Sequence, residues 1–206
     1  MTRFESLITH CPNWLVPPMI WVRSWIYPPS PHLDSEFIDA SVWAEGYTPQ
    51  GDMAVYAQIS KFSENQYTFM VNLSEGLDKK ADEQVRFMVT FVGAAAAAAK
   101  LFDVERIRHV SGGLALVCIG LAILAAIRAR TPQSTSTPMS PRDLMTVADL
   151  QSKPTPEQME SVVAASYHVA IFGMRSLTVW KARLLNRSTL AFAVGLALLL
   201  GSIIRF

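Results

Sequence analysis

Three apolar stretches alternate along the chain with segments in which apolar and polar residues recur at helical spacing. The two clearest stretches are residues 110–127 and 188–204, and each is bordered by arginines. Because about 20 apolar residues cross a hydrocarbon core of roughly 30 Å, both are predicted transmembrane helices. A third stretch, residues 87–102, is shorter, rich in alanine and interrupted by Lys100. A long lysine side chain can reach the membrane interface, so a third span is favoured, with a buried alanine-rich helix as the alternative.

Two amphipathic helices are predicted to continue into membrane spans. In residues 51–86 apolar side chains recur every three or four positions, and Gly76 marks the expected bend. The same spacing recurs in residues 156–187. Thr155 is a suitable capping residue for this helix, and Pro156 suits its first position. The two apolar faces consist of Ile59, Phe62, Gln66, Phe69, Met70, Leu73, Leu77, Ala81 and Val85, and of Met159, Val163, Tyr167, Ala170, Met174, Leu177 and Leu184. Neither helix is expected to be stable alone in water, so each apolar face should pack against the other helix or against another subunit. This predicts a cytosolic helical stalk that self-associates.

The fold class predicted from these patterns is an all-α membrane protein with three transmembrane helices, two of them prolonged by amphipathic helices. The first 50 residues are rich in proline and aromatic residues and lack the apolar core of a signal peptide. They suit either a membrane interface or a small packed cap. The predicted segments follow one another along the chain. They are an N-terminal segment (1–50), an amphipathic helix (51–86), a two-span hairpin (87–128), a Ser/Thr/Pro linker (129–155), a second amphipathic helix (156–187) and a last span (188–206).

The positions of the basic residues predict the topology, because cytoplasmic flanks of membrane spans are enriched in lysine and arginine. If each stretch crosses the membrane once, one face receives Lys79, Lys80, Arg86, Arg128, Arg130, Lys181, Arg183 and Arg187. The other face receives Lys100, Arg106, Arg108 and Arg205. The amino terminus is therefore expected in the cytoplasm and the carboxyl terminus outside, in a multi-pass protein of a bacterial inner membrane.

The composition agrees with a membrane protein and excludes several other classes. Charged residues make up 17% of the chain, against roughly 25% in an average soluble domain, and the mean hydropathy is +0.24. The formal net charge of +1 provides no basic surface for nucleic acid. Cys11 and Cys118 are the only cysteines, too few for a disulfide framework or a cysteine-rich zinc site.

Small residues within the predicted spans favour close helix packing, because they let backbones approach. They are Gly93, Gly112, Gly113, Gly120, Gly195, Gly201 and Ser202. No ionisable residue lies in the middle of the predicted spans at residues 110–127 and 188–204. A coupled transporter usually needs such a residue, so transport is disfavoured.

No catalytic or metal-binding residues are predicted, and cofactor-binding residues are left unknown. The histidines are scattered, without the spacing that places two ligands on one helical face: His10, His32, His109 and His168. Phosphate-binding and hydrolase motifs are also missing from the sequence, so the protein is not expected to be an enzyme. The densest polar cluster is Asp78, Lys79, Lys80 and Asp82. It suits a charged collar at the membrane surface, with an electrostatic gate or a site for an anionic messenger as alternatives.

The order of these parts resembles the transmembrane effectors of Pycsar antiviral systems. Those proteins have a polar helix with an Asp-x-Lys-Ala-like turn, two close spans, and a long helix whose basic end enters a last span. The corresponding stretches here are residues 77–98, 110–124 and 166–200, and Lys80-Ala81 aligns with the short turn.

The resemblance implies an abortive-infection effector. A partner pyrimidine nucleotide cyclase would make cyclic CMP or cyclic UMP on phage infection, and the effector would then disrupt the inner membrane. The sequence lacks the glycine-punctuated β-roll that binds cyclic nucleotides, so a messenger site would lie on the stalk or in residues 1–50, with no residues assigned. The alternative function is a structural or accessory subunit of a larger membrane complex without gating activity.

Overall fold

The computed structural model describes residues 24, 27–29, 37, 53–101, 110–131, 137–139 and 155–204. Within these residues the structure contains three long α-helices: α1 at Met53–Leu101, α2 at Val110–Arg130 and α3 at Pro156–Ile204. The predicted all-α class is therefore confirmed for the described part of the chain. The predictions for residues 1–50 and 129–155 lie almost wholly outside it.

The helix ends follow from local sequence. α3 begins at Pro156, whose fixed φ suits a first helical turn, and the Met159 amide donates to the Thr155 carbonyl at 3.1 Å. α2 ends with Arg128 and Arg130 in its last turn, where cations interact favourably with the helix dipole. α1 runs without a break through Gly76 for 49 residues, since a single glycine weakens a helix without ending it.

Two of the three helices are long and apolar enough to cross a membrane. They are α2, over Gly112–Arg130, and α3, within the 43 residues of Met159–Gly201. At about 1.5 Å per residue that part of α3 measures about 65 Å, twice a hydrocarbon core, so only a portion of it can lie among lipid tails. These helices contain two of the predicted spans. α1 is not among the helices that qualify, and a span at residues 87–102 stays a prediction.

The chain forms two compact units, and α1 and α3 contribute to both. The first unit, named here the three-helix bundle, comprises Met1–Pro28, Asp78–Thr131 and Trp180–Phe206. The second, named here the helix-pair unit, comprises Pro29–Leu77 and Pro132–Val179.

The core of the three-helix bundle contains one or two side chains from each helix. Met88 from α1, Ile119 and Ala122 from α2, and Phe192 from α3 are buried against one another. The rings of Phe87 and Phe91 also meet the edge of Phe192, with centroid distances of 5.9 and 5.7 Å. Met88 and Val92 of α1 thus pack in or against this core, and the Phe87 and Phe91 rings contact Phe192 of α3.

In the helix-pair unit, α3 uses the face that the sequence predicts. Its buried apolar side chains include Ala170, Met174 and Leu177, which belong to the predicted stripe. Tyr67 of α1 meets Tyr167 of α3 edge to face, with ring centroids 6.0 Å apart. The stripe on α3 is confirmed because every described member of it is buried or half-buried.

The stripe predicted on α1 is only partly buried within the single chain. Phe62, Phe69 and Leu73 are exposed, whereas Ala81 is buried, as is Ser74, which the prediction omitted. At about 100° per residue, the three exposed side chains lie on one flank of a stripe that is wider than a single neighbouring helix covers. The neighbour therefore occupies the other flank.

The glycines of the predicted spans differ in how closely another helix of the chain approaches them. A Cβ placed on Gly113 or Gly120 would meet nothing within 4 Å, although both were expected at a helix contact. A Cβ on Gly195 would lie 2.7 Å from Ile119 Cγ1 and 3.1 Å from the Ala115 carbonyl oxygen. Close approach of two helices is therefore concentrated at Gly195, where α3 crosses α2.

Candidate functional site

The main candidate site begins with an ion pair between α1 and α3 in the three-helix bundle. The Lys181 ammonium donates to both carboxylate oxygens of Asp78, at 2.6 and 2.8 Å. The two residues are 103 positions apart in the sequence. Contact with both oxygens and the short distances are typical of a charge-assisted interaction.

The two members of this pair differ strongly in burial. The Lys181 side chain is 4% exposed and that of Asp78 is 37% exposed. A buried ammonium is costly unless it is paired, because the protein interior solvates charge poorly. Asp78 is therefore a counterion that helps to stabilise the buried Lys181 ammonium, whereas Asp78 itself retains access to water.

A second ion pair lies one helical turn further along α1. Arg130 Nε donates to an Asp82 carboxylate oxygen at 3.0 Å, with side-chain exposures of 62% and 34%. Lys79 and Lys80, between the two aspartates, are exposed. The polar cluster predicted from the sequence is therefore split between two sides of α1. Asp78 and Asp82 are four residues apart, so they share one helix face and form the ion pairs, whereas Lys79 and Lys80 lie off that face.

Trp180 of α3 makes further contacts in this part of the bundle. Its side chain is 2% exposed, and its Nε1 donates to the Ser24 carbonyl at 2.9 Å. The Arg128 guanidinium lies 5.7 Å from the centre of the indole ring, within the range of a cation–π interaction. Arg187 donates to Ser24 Oγ at 3.0 Å.

We call these side chains the charged layer, and it joins residues from all three helices. Its members are Ser24, Asp78, Asp82, Arg128, Arg130, Trp180, Lys181 and Arg187. The layer brings together basic residues that the sequence assigns to one face of the membrane. Arg86 and Arg183 are exposed, and the predicted opposite set at positions 100, 106, 108 and 205 lies outside the described side chains.

Hydrogen bonds continue from the charged layer towards the apolar core. Gln84 Nε2 donates to Thr189 Oγ1 at 2.7 Å, joining α1 to α3. The fully buried hydroxyl of Ser188 donates to the Ala122 carbonyl at 2.7 Å, joining α3 to α2. The layer is thus part of a hydrogen-bonded connection among the helices. It contains charges and dipoles but no arrangement of a nucleophile with a base.

The described residues hold no group of three or more His, Cys, Asp or Glu side chains that could bind a metal ion. His168 instead packs in the helix-pair unit, where its ring lies 4.7 Å from Phe172 and 6.3 Å from Phe37. These are ring-packing contacts, which suit a structural role. The other three histidines lie outside the described residues.

The sequence reasoning missed the partnership of Asp78 with Lys181, although a signal for it exists. Lys181 lies four residues after Leu177 and three before Leu184, so it interrupts the predicted apolar face of α3. Asp78 similarly lies three residues before Ala81 on the apolar side of α1. Opposite charges on two apolar faces that must pack together indicate a buried ion pair.

The chain matches a known protein family. The family model described as the Pycsar effector protein domain matches residues 72–206, about two thirds of the chain. The matched region contains the three-helix bundle from Asp78 onwards, including nearly all of the charged layer. No curated protein matches the chain at a significant level, and no solved structure does so either.

Proposed function

The chain belongs to the Pycsar effector family, and from this premise we propose that it is a membrane effector switched on by a cyclic nucleotide. Membership supports a role in a cyclic-nucleotide antiphage system. In the proposed mechanism, a partner pyrimidine nucleotide cyclase makes cyclic CMP or cyclic UMP on infection. The effector then permeabilises the inner membrane, and the infected cell dies before phage are released.

The observation that supports membrane action most directly is the apolar surface of the three-helix bundle beyond the charged layer. Large hydrophobic side chains are exposed on all three helices: Phe87, Val89, Phe91, Leu114, Leu116, Val117, Leu121, Leu124, Ile127, Leu190, Val194 and Leu200. Exposure of so many large apolar side chains is unfavourable in water and indicates a membrane or partner contact. Lipid is the partner that suits a surface distributed over every helix.

We propose that all three helices of the bundle cross the membrane. From Arg86 to Leu101, from Arg130 to Val110 and from Arg187 to Ile204, the helices extend about 23, 30 and 26 Å at 1.5 Å per residue. These lengths are near the roughly 30 Å thickness of a hydrocarbon core. The direct packing of Met88 on Ala122 and Phe192 supports the same depth for α1.

The proposed orientation places the charged layer at the cytoplasmic surface of the inner membrane. The layer collects Arg128, Arg130, Lys181 and Arg187, and lysine and arginine are enriched on the cytoplasmic side of spans. The amino terminus is then cytoplasmic and the carboxyl terminus is outside. The amphipathic parts of α1 and α3 would form the cytosolic stalk.

We further propose that copies of this chain associate through α1. Phe62, Phe69 and Leu73 are exposed along one flank of that helix. Phe69 follows Phe62 by seven residues and precedes Leu73 by four, a spacing that suits helix–helix packing. A homo-oligomer would cover this flank and would assemble several short spans, as a pore or a disordered patch of bilayer requires.

The effector acts in this proposal without catalysis and without a cofactor. Its only small-molecule ligand would be the regulatory nucleotide, bound on the stalk or in residues 1–50. The cyclase is a functional partner, and physical contact with it is not required. The messenger must bind the active and inactive packings with different affinity, because only that difference shifts the equilibrium.

The test is membrane potential, followed with a voltage-sensitive dye in bacteria that express the protein with an active pyrimidine cyclase. The control is the same strain with a catalytically inactive cyclase, at matched effector abundance. Collapse of the potential only with active cyclase is the expected result. Equal collapse with both cyclases would contradict ligand gating. An unchanged potential with confirmed membrane insertion would favour an accessory subunit, and purification of a partner complex would follow.

A further inference from the structure

The helix stretches around the charged layer carry a large excess of positive charge. These stretches, named here the basic belt, are residues 78–86 of α1, 128–131 of α2 and 180–187 of α3. They contain eight basic side chains and three acidic ones, an excess of five positive charges. Ion pairs within the belt, such as Asp82 with Arg130, leave this excess unchanged. The belt as a whole therefore attracts anions.

Much of this positive charge lies on the outer surface of the bundle. Four exposed basic side chains, named here the outer basic group, are Lys79, Lys80, Arg86 and Arg183. The exposed Glu83 on α1 offsets one of these charges. An excess of three positive charges therefore faces outwards in this group, at positions that a ligand can reach without any change in helix packing.

An exposed apolar surface begins directly beside the outer basic group. Phe87 follows Arg86 on α1 and is 60% exposed. Leu190 lies seven residues, or two helical turns, after Arg183 on α3 and is 67% exposed. A ligand between these features meets positive charge at one end and apolar side chains at the other. An anion with long apolar chains satisfies both, whereas a nucleotide or inorganic phosphate satisfies only the charge.

We propose that the outer basic group binds the phosphate groups of acidic phospholipids, whose acyl chains lie along the adjoining apolar surface. The proposal rests on the membrane orientation given under the proposed function and adds a lipid partner to it. Basic side chains next to a span on the cytoplasmic side attract anionic headgroups. Arg86 lies at the boundary with the apolar surface, and Lys79 is about 10 Å further along α1. A headgroup region of about 5–8 Å and a long lysine side chain cover that distance together.

The experiment measures lipid association with the purified full-length protein in vesicles of phosphatidylcholine. A trace of spin-labelled phosphatidylglycerol or spin-labelled phosphatidylcholine is added, and electron paramagnetic resonance gives the fraction of each label that the protein immobilises. The test variant is Arg86→Gln/Arg183→Gln. The matched control is Lys61→Gln/Arg175→Gln, which removes the same charge from exposed positions in the helix-pair unit. Circular dichroism verifies that both variants retain their helices.

The wild-type protein should associate with phosphatidylglycerol at least about threefold more strongly than with phosphatidylcholine, because each basic residue near the surface favours an anionic lipid. The test variant should lose about half of this preference or more, and the control variant should keep it. In the wild-type protein, an increase from about 0.01 to 1 M NaCl shortens the Debye length from about 30 to 3 Å. The preference should then largely disappear, a result that requires no substitution.

Three outcomes would overturn the lipid site. The first is equal association of the two labelled lipids with the wild-type protein at low salt. The second is an equal loss of preference in the two double variants, which would show an effect of overall charge. The third is displacement of phosphatidylglycerol by glycerol phosphate or cyclic CMP beyond that caused by NaCl at the same ionic strength. The outer basic group would then bind a free anion.

The same measurement separates this proposal from the proposed function. If neither labelled lipid is immobilised, the protein is not inserted, and the membrane orientation fails together with the lipid site. If both labels are immobilised equally, the lipid site alone fails. Cyclase-dependent collapse of the membrane potential tests gating independently, so selective association with phosphatidylglycerol stands even if the potential is unchanged.

Discussion

The hydroxyl of Ser188 donates to the carbonyl oxygen of Ala122 at 2.7 Å, and Ser188 has no exposed surface. This contact fixes α3 against α2 immediately inside the charged layer. It also explains why a polar residue begins the last apolar stretch of the sequence. A buried hydroxyl is tolerated there because it has an acceptor.

Replacement of Ser188 should weaken this junction. Ser188→Ala removes one hydrogen bond with little change in shape, so the free energy of unfolding should fall by about 1 kcal/mol. Ser188→Leu should cost about 1–3 kcal/mol, because the site has no space for a larger side chain. Thermal unfolding in detergent, followed by circular dichroism, measures both effects. Leu190→Ala, at an exposed position on the same helix, is the control and should change little.

Gly195 should be the glycine that is most sensitive to substitution. Gly195→Ala places a methyl group 2.7 Å from Ile119 Cγ1 and close to the α2 backbone. The expected loss is about 1–2 kcal/mol, since overpacking outweighs the gain in helix propensity. Gly120→Ala is the matched control, because a Cβ there meets nothing within 4 Å. Its unfolding temperature should be unchanged or higher, and equal destabilisation by the two variants would contradict the helix crossing at Gly195.

The exposed flank of α1 should carry self-association. The double variant Phe62→Ser/Phe69→Ser removes two large apolar side chains, each worth about 1.5–3 kcal/mol when fully buried. A loss of about 3 kcal/mol in association free energy raises the dissociation constant of the dimer roughly 100-fold. Light scattering after size-exclusion chromatography in detergent measures the mass at several concentrations. The control is Lys61→Ser/Glu75→Ser on the polar side of the same helix, and an equal shift in mass for both double variants would contradict association through this flank.

The third span can be tested by accessibility. In a Cys11→Ser/Cys118→Ser background, Asp103→Cys should react with a membrane-impermeant thiol reagent added outside intact spheroplasts. Ser134→Cys should react only after the membrane is opened, because the linker is expected in the cytoplasm. If Asp103→Cys is protected in intact spheroplasts and reacts only after lysis, residues 87–102 do not cross the membrane.

The helices and their apolar faces were largely predictable from the sequence, because helical periodicity and end signals act over a few residues. The start of α3 at Pro156 and the buried face of α3 through Met174 and Leu177 followed from spacing alone. The apolar stretches within α2 and α3 followed from composition and length. The family resemblance followed from the order of these parts and is shown over residues 72–206.

Tertiary structure decided which of several equivalent positions make contacts. The sequence could not separate Gly195 from Gly113 and Gly120, or the buried flank of α1 from the flank with Phe69. Those choices depend on the rotation and axial position of each helix relative to its neighbours, which are set by all contacts of the bundle together. The same alignment brings Lys181 to Asp78 across 103 residues. Local sequence therefore determined what each helix can bury, and the packing of the three helices determined which charges and which glycines meet.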